Sequence, residues 1–293
     1  MLVVVLIVSA SVSAVAVLNK LAVVMLILKK ARNLGLGAFF MSVSWLSLAA
    51  CPADVSTLQG VEIASVYDGD TLRLVGGEKV RVIGINTPEL ARKGRAAQPL
   101  AEQAKQLTEQ FLDKQRRGKQ LYIQRGIDTK DDYGRSLAHV YRSDGKSLAA
   151  ELLGKGLAWQ VVVPANTGQW PCYQKQEQQA RRLGLGVWRQ APVQADKLTA
   201  ATSGFQRVRG WVDAVHEGRH GWWLTMGRLA VSISKKDQRY FDQQGFSADW
   251  QRWQGKTLQL KGWVVDRSKS RSVIERGYAP FMVSLRHPSM LMD

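Results

Sequence analysis

The chain has 293 residues, a length that allows two domains and a leader segment. Its formal net charge of +17 at pH 7 favours an anionic partner such as a nucleic acid. The two cysteines exclude a metal site built on cysteine and imply no disulfide framework.

The first 50 residues are predicted to be a targeting segment. Two apolar runs, residues 1–28 and 34–50, flank a short basic stretch at 29–32. A basic stretch followed by an apolar run is the layout of a signal peptide. The sequence Leu-Ala-Ala-Cys that ends at Cys51 resembles a bacterial lipobox, and Met25 would be a natural start for such a signal.

The lipobox resemblance implies that Cys51 carries lipid and becomes the first residue of the mature protein. Cys172 would then have no partner within the chain. The alternative is that both apolar runs are transmembrane helices, although Lys20 within the first run favours the lipoprotein. In either case we expect the protein in the cell envelope, held by a lipid anchor or an N-terminal helix and facing the periplasm or the outside.

Residues 55–190 are predicted to form a domain that is mainly β with packed helices. An apolar pattern with helical spacing predicts a helix over 99–117, and the Gly-Gly pair at 76–77 predicts a hairpin turn. Short strands that close a barrel, with helices packed against it, are typical of an OB-type fold. The strands are expected at 61–66, 72–75, 79–85, 121–123 and 137–141, with further helices at 147–153 and 172–183.

Three short motifs in this domain carry chemistry. They are Asp68-Gly-Asp-Thr71, the segment Arg81–Glu89 that ends in Asn-Thr-Pro-Glu, and Asp132-Tyr-Gly-Arg135. Each alone is ordinary turn or helix-cap chemistry. Together they supply carboxylates, other hard oxygen donors and two arginines, which suits a divalent metal, a general base and a phosphate clamp.

In this order the motifs resemble the staphylococcal nuclease (thermonuclease) family. The resemblance covers approximately Val55–Trp188 and includes the tail Glu177–Trp188, which is similar to the family's last helix and closing tryptophan. It implies an OB-type barrel and calcium-dependent hydrolysis of single-stranded DNA or RNA, with little sequence preference and with 3′-phosphates left at the cut.

The resemblance also assigns roles to individual residues. Asp70 matches the family's metal-binding aspartate, and Thr87 matches the residue that offers its backbone carbonyl to Ca²⁺. Glu89 matches the proposed general base, which acts on a water. Arg81 and Arg135 match the pair that binds the scissile phosphate, where a guanidinium can hold two oxygens at once.

Two departures from the family's pattern concern metal binding and the pocket that holds the nucleotide base. Asn86 stands where the type member has an aspartate, so we expect a third, uncharged metal ligand and weaker affinity. The segment Trp159–Pro164 replaces the tyrosines that line the nucleotide pocket. Trp159 or Trp170 could offer a stacking face or pack in the core. Asp68 either supports the metal ligand or is a plain turn residue.

The rest of the chain is predicted to form a linker and a second domain. Residues 191–204 are small and polar, which predicts a linker. Residues 205–288 are β-rich, and Val208–Val212 resembles Leu260–Val264, which indicates two equivalent strands of a small barrel, for which we expect an OB-like form. The strands are expected at 205–215, 222–226, 229–234, 257–266 and 280–286.

Two features of the second domain have alternative interpretations. Four tryptophans could either stack on the bases of single-stranded nucleic acid or pack in the core. They are Trp211, Trp222, Trp223 and Trp263. The His-Glu-x-x-His pattern at 216–220 fits a zinc protease, but it contains Gly218 and lies between two strand patterns, which predicts a hairpin loop instead.

The sequence therefore favours a calcium-dependent nuclease. The alternatives are a non-catalytic nucleic-acid-binding envelope lipoprotein and a structural lipoprotein of the envelope. Glu89 favours the enzyme, because a protein that only binds has no need of a carboxylate opposite its phosphate. No protein partner can be inferred.

Overall fold

The computed structural model describes residues 51–92, 94–113, 120–245 and 249–292. The predicted targeting segment, residues 1–50, lies outside the described residues, as does the end of the predicted helix over 99–117. None of the helices in the described ranges combines the length and the apolar character needed to cross a membrane.

Five strands of residues 51–190, the barrel unit, form a closed barrel in the order β1-β2-β3-β6-β5. Alternate side chains of these strands, such as Val61 and Ile63 or Val80 and Val82, are buried inside it. The strands are β1 (Gln59–Val66), β2 (Thr71–Leu74), β3 (Lys79–Val82), β5 (Gln120–Lys130) and β6 (Ser136–Tyr141). This barrel, with helices packed against it, confirms the predicted OB-type fold.

Three helices and a short second sheet complete the barrel unit. The helices are α1 (Ala101–Asp113), α2 (Leu148–Gly154) and α3 (Trp170–Arg182), and the sheet pairs β4 (Ile85–Asn86) with β7 (Trp159–Gln160). Ser147 caps α2, as its hydroxyl accepts the N–H of Ala150. Gly84, with φ +88°, lies directly under the ring of Tyr173 from α3, where a Cβ would come within 2.6 Å of the ring.

A disulfide joins Cys51 to Cys172 at the start of α3. The expectation that Cys172 has no partner is therefore wrong. A sulfur that is bonded to another sulfur cannot also form the thioether of a lipid anchor, so this pairing and the predicted lipidation of Cys51 exclude each other. The two cysteines are 121 positions apart, and no local pattern indicates that they meet.

The remaining residues, 191–292, form the sheet unit, which has its own hydrophobic core. Its strands pair in the order β10-β11-β12-β14-β13-β9-β8, and β15 pairs with β13. They are β8 (Val193–Gln194), β9 (Gly204–Trp211), β10 (Ala214–Gly218), β11 (Gly221–Met226), β12 (Leu229–Ser234), β13 (Thr257–Asp266), β14 (Phe281–Ser284) and β15 (Leu291–Met292), with helices α4 (Lys235–Asp242) and α5 (Arg271–Glu275).

The sheet unit agrees with most sequence predictions. The two similar segments are antiparallel neighbours, since Val208 of β9 pairs with Leu260 of β13. The 216–220 segment is a hairpin between β10 and β11, as predicted. The predicted strand over 205–215 is instead two strands, β9 and β10.

The predicted linker at 191–204 is part of the sheet unit. Val193 and Gln194 form β8, which pairs in parallel with β9. Ala195 and Leu198 are buried in the core of this unit. Small and polar composition predicted a free connection, but two buried apolar side chains and a strand pairing hold the segment in place.

The two units share a hydrophobic cluster. Trp159 and Trp188 of the barrel unit pack with Phe205 and Met292 of the sheet unit. The rings of Trp159 and Phe205 lie 5.3 Å apart. The units are therefore joined by a packed interface as well as by the chain.

Candidate active site

The Asp-Gly-Asp turn between β1 and β2 is held in place by contacts with α1. Thr108 of α1 donates a hydrogen bond to the carbonyl of Gly69, at 2.7 Å. A side chain at Gly69 would come within 2.7 Å of Thr87 Cγ2 and 2.8 Å of Ala104 Cβ. Only glycine fits this close approach, and the fit fixes the carboxylates on either side of it.

Asp70 is the most connected side chain of the turn. Its Oδ2 accepts the backbone N–H of Thr87 at 2.8 Å and the hydroxyl of Thr87 at 3.1 Å. The same oxygen lies 3.1 Å from Nη2 of Arg81. Its Oδ1 accepts the hydroxyl of Thr71 at 3.1 Å. Two of the three motifs thus meet at one buried carboxylate.

Arg81 lies on β3, paired with Thr71 of β2. Besides Asp70, its guanidinium donates to the carbonyl of Val82 at 2.8 Å and to Oδ1 of Asn86 at 3.0 Å. These contacts hold the planar group in one orientation at the end of the barrel.

Asn86 is the last residue of β4 and pairs with Trp159 of β7, and Thr87 comes directly after it. The Asn86 amide bridges its neighbours, since Oδ1 accepts from Arg81 and Nδ2 donates to the Thr87 carbonyl at 3.2 Å. The Asn86 side chain, itself a predicted metal ligand, therefore also orients the Thr87 carbonyl, which is a second predicted ligand.

Glu89 lies just beyond this pair on the surface. Its backbone is fixed by a reciprocal pair of 2.8 Å hydrogen bonds, from the Glu89 N–H to the side chain of Gln98 and from the Gln98 N–H to the Glu89 carbonyl. Partial desolvation and the negative charge of Asp70 raise the pKa of the Glu89 carboxyl, against the opposing effect of Arg81 and Arg135. Its carboxylate thus lies within electrostatic range of the other site residues.

Arg135 enters from the turn after β5. Asp131 accepts both its backbone N–H, at 2.9 Å, and its Nε, at 2.6 Å. Nη1 of Arg135 reaches the Thr71 hydroxyl at 3.5 Å. Gly134, at φ +78°, makes the turn possible. Sequence analysis missed Asp131, although its spacing of four residues before the arginine was visible.

Asp68 lies beside Asp70, and its Oδ1 accepts the Asp70 N–H at 3.1 Å. Burial and the charge of Asp70 raise the pKa of Asp68 to about 7. Two buried carboxyls in one turn, close to a carbonyl and an amide oxygen, form a set of hard donors that fits a calcium ion. Within the described ranges, no three His, Cys, Asp or Glu residues form a complete metal cluster, so backbone, amide and water oxygens would have to complete the shell.

The two tryptophans considered for base stacking have packing roles. Trp159 is buried against Phe205 at the interface of the two units. Trp170 contacts His287 of the sheet unit, with ring centroids 4.9 Å apart. Beside Arg135, however, a groove of about 420 Å³ is lined by residues that include Lys79, Lys130 and the 86% exposed Tyr133.

Comparison with known proteins agrees with this geometry. The family model described as staphylococcal nuclease homologue matches residues 79–190. A thermonuclease of Staphylococcus intermedius is 30% identical over 129 residues, which cover 43% of this chain and 74% of that protein. The chain belongs to the staphylococcal nuclease family.

Two proteins named as endonucleases are also similar to part of the chain. Endonuclease YncB and the SPbeta prophage-derived endonuclease YokF, both of Bacillus subtilis, are each 35% identical over 136 residues. These matches cover 45% of this chain, and 62% and 44% of the two relatives. The chain thus spans less than two thirds of the length of these two relatives.

Proposed function

We propose that this protein is a calcium-dependent nuclease that hydrolyses phosphodiester bonds of DNA or RNA. The observation that carries the proposal is the convergence of Asp70, Arg81 and Thr87 at one end of the barrel, with Glu89 and Arg135 beside them. Membership of the staphylococcal nuclease family, with relatives named endonuclease and thermonuclease, supports the same chemistry.

The metal-binding role belongs to Asp70, the Thr87 carbonyl and the Asn86 amide oxygen. When bound, calcium would polarise a phosphoryl oxygen as a Lewis acid. The contribution of the chain is to hold these donors in place before the metal arrives, through the Thr87–Asp70 and Asn86–Thr87 hydrogen bonds. Asp68 supports the ligand by fixing the backbone N–H of Asp70.

Glu89 acts as the general base in this mechanism. Its carboxylate accepts a proton from a water whose oxygen attacks phosphorus, while the bond from phosphorus to the leaving oxygen breaks. A pKa raised above the usual value makes the carboxylate a stronger base at neutral pH. The hydrogen bonds with Gln98 hold its backbone, so the side chain projects from a fixed point.

Arg81 and Arg135 stabilise the negative charge that accumulates on the phosphoryl oxygens. Both remain charged throughout the reaction, and a guanidinium offers five N–H donors in a planar array. Asp131 and Thr71 position Arg135, while Val82 and Asn86 position Arg81. Such preorganised donors stabilise the transition state more than the ground state, because the negative charge is greatest there.

The groove beside Arg135 fits a single polynucleotide strand. Lys79 and Lys130 supply positive charge along it, and the exposed ring of Tyr133 supplies a flat face. Lysines that contact phosphates and rings that stack on bases bind single strands with little sequence preference. The expected substrate is therefore single-stranded DNA or RNA.

The protein is expected to function outside the cytoplasm. A disulfide between Cys51 and Cys172 persists in an oxidising compartment. The expected location is the cell envelope, facing the periplasm or the outside. Because Cys51 is in the disulfide, the membrane attachment that remains to be tested is the N-terminal apolar segment.

The decisive experiment uses the purified full chain with labelled single-stranded DNA, double-stranded DNA and RNA, in calcium or in chelator. Cleavage in calcium that stops in chelator supports the proposal. A basic protein that binds all three substrates without cutting any of them would instead support the non-catalytic alternative. Magnesium in place of calcium serves as the control for cation specificity.

A further inference from the structure

A lysine of the sheet unit lies inside the interface with the barrel unit. Lys261 of β13 is 1% exposed, and its ammonium group contacts Oε2 of Glu177 on α3. Glu177 is buried as well. A buried carboxylate without a counter-charge is strongly unfavourable, so each of these groups depends on the other.

The second oxygen of Glu177 contacts the backbone of β7, the strand that pairs with β4. Oε1 accepts the backbone N–H of Gln160 at 2.6 Å. Gln160 belongs to β7, where it pairs with Ile85 of β4. After Ile85, β4 continues with Asn86 and is followed by Thr87, and these two residues carry the proposed metal-binding oxygens. Direct contacts therefore lead from Lys261 to the site.

The sheet formed by β4 and β7 is short, with two residues in each strand. The Gln160 side chain donates to the Trp170 carbonyl at 2.6 Å, and the Val161 N–H donates to the Gly84 carbonyl at 3.0 Å. Trp159, the other residue of β7, packs against Phe205. The hydrogen bond from the Gln160 N–H to Glu177 connects this short sheet to the buried ion pair.

We propose that Lys261 is a positioning residue of the nuclease site: by holding the Glu177 carboxylate against β7, it fixes the β4 segment that presents Asn86 and Thr87. The sheet unit is then a part of the catalytic scaffold. This inference rests on the proposed function for its effect on calcium binding, but its effect on the β4–β7 pair can be measured independently.

Three variants separate positioning from stability. Lys261→Met removes the ammonium group that contacts Glu177 and leaves the more distant guanidinium of Arg207 as a counter-charge. Lys261→Met with Glu177→Gln restores neutrality and keeps a carbonyl oxygen for the Gln160 N–H. Lys261→Met with Glu177→Leu also restores neutrality, and such apolar replacement of a buried ion pair is often neutral for stability, but it removes the acceptor.

The first measurement is amide hydrogen exchange, with calcium absent. Exchange in peptides covering 85–87 and 159–160 should rise at least fivefold in Lys261→Met and in the Met/Leu variant, and return to within twofold of wild type in the Met/Gln variant. Peptides from β1 and β2 should not change. This readout is informative even if the protein cleaves no nucleic acid.

The second measurement is calcium titration by calorimetry, without substrate. The midpoint should rise severalfold in Lys261→Met and Met/Leu and recover in Met/Gln, and Arg125→Met, which breaks the exposed pair with Glu78, is the matched control. Unchanged exchange at 85–87 in Lys261→Met would overturn the proposal. Equal exchange and equal calcium midpoints in the two double variants would also overturn it, because the acceptor for the Gln160 N–H would then have no effect and only the loss of stability would remain. Normal calcium binding without cleavage would refute the nuclease function alone.

Discussion

The carboxylate of Asp70 and the guanidinium of Arg81 form a buried ion pair, with 3.1 Å between Oδ2 and Nη2 and side chains only 6% and 11% exposed. The proposed metal ligand and the proposed phosphate ligand thus hold one another. Arg135 is paired to Asp131 instead and is 29% exposed. The two arginines should therefore respond differently to substitution.

Replacement of either arginine by lysine should reduce turnover much more than it weakens nucleic-acid binding. Lysine keeps the charge but not the planar array of donors. Arg81→Lys should also lower the melting temperature, because Val82 and Asn86 lose hydrogen bonds in the buried site, whereas Arg135→Lys should not. Turnover, binding and thermal unfolding of both variants test this. Equal losses of turnover and binding would contradict a transition-state role.

Glu89→Gln should lower the cleavage rate by roughly 10²–10⁴-fold, because the amide cannot accept the proton. Nucleic-acid binding should be retained. Single-turnover rates and a binding titration provide the measurement. Glu102→Gln, on the exposed side of α1, is the matched control and should cleave normally. Wild-type rates in Glu89→Gln would show that the carboxylate is structural.

Asn86→Asp should tighten calcium binding, since a charged oxygen replaces a neutral one. The new carboxylate would keep the acceptor for Arg81 but lose the Nδ2–H that now orients the Thr87 carbonyl. We expect the gain in charge to dominate and the calcium midpoint of activity to fall. An unchanged or higher midpoint would place Asn86 outside the metal shell.

Cys51→Ser and Cys172→Ser should destabilise the protein equally, by about 2–5 kcal/mol, as is typical when a native disulfide is removed. Reducing agent should lower the melting temperature of the wild type to that of the variants. Labelled palmitate should not enter the wild type at Cys51. Its incorporation there would restore the lipoprotein interpretation and remove the disulfide from the mature protein.

Acid should destabilise the protein through His139. Burial lowers its pKa to about 4, against about 6.5 when unfolded. Between these values the unfolded chain binds the extra proton, so stability falls as the pH drops from 6.5 to 4, by up to about 1.4 kcal/mol per unit. His139→Gln should remove this contribution. Asp68 acts in the opposite direction over the same pH range, because its pKa of about 7 lies above that of an unfolded aspartate. His287, whose pKa is also about 4, should leave a residual dependence.

The site motifs and the barrel were predictable because the motifs are contiguous in sequence. The turn at Gly69, the strand with Arg81 and the loop to Glu89 each carry their own local signal. Asp131 and Gln98 were missed, since each acts on its neighbour through hydrogen bonds that spacing alone does not specify.

Non-local contacts account for the predictions that were wrong. The Cys51–Cys172 bond depends on the meeting of distant segments. Leu198 is buried in the core of the sheet unit, and the nearby β8 pairs with β9. Lys261 was not singled out from the sequence, since nothing in its own strand indicates the ion pair with Glu177 of the other unit. None of these encounters has a local pattern.

The disulfide also determines how tension would travel along the chain. A force applied at residue 51 passes through the sulfur–sulfur bond directly to Cys172, which lies 121 positions later. The intervening residues, which include the whole barrel and the candidate site, are mechanically bypassed. Roughly 400 Å of contour length, at about 3.3–3.6 Å per residue, is therefore withheld from extension. Pulling on the N-terminal segment would load α3 and the sheet unit before it disturbed the proposed catalytic residues.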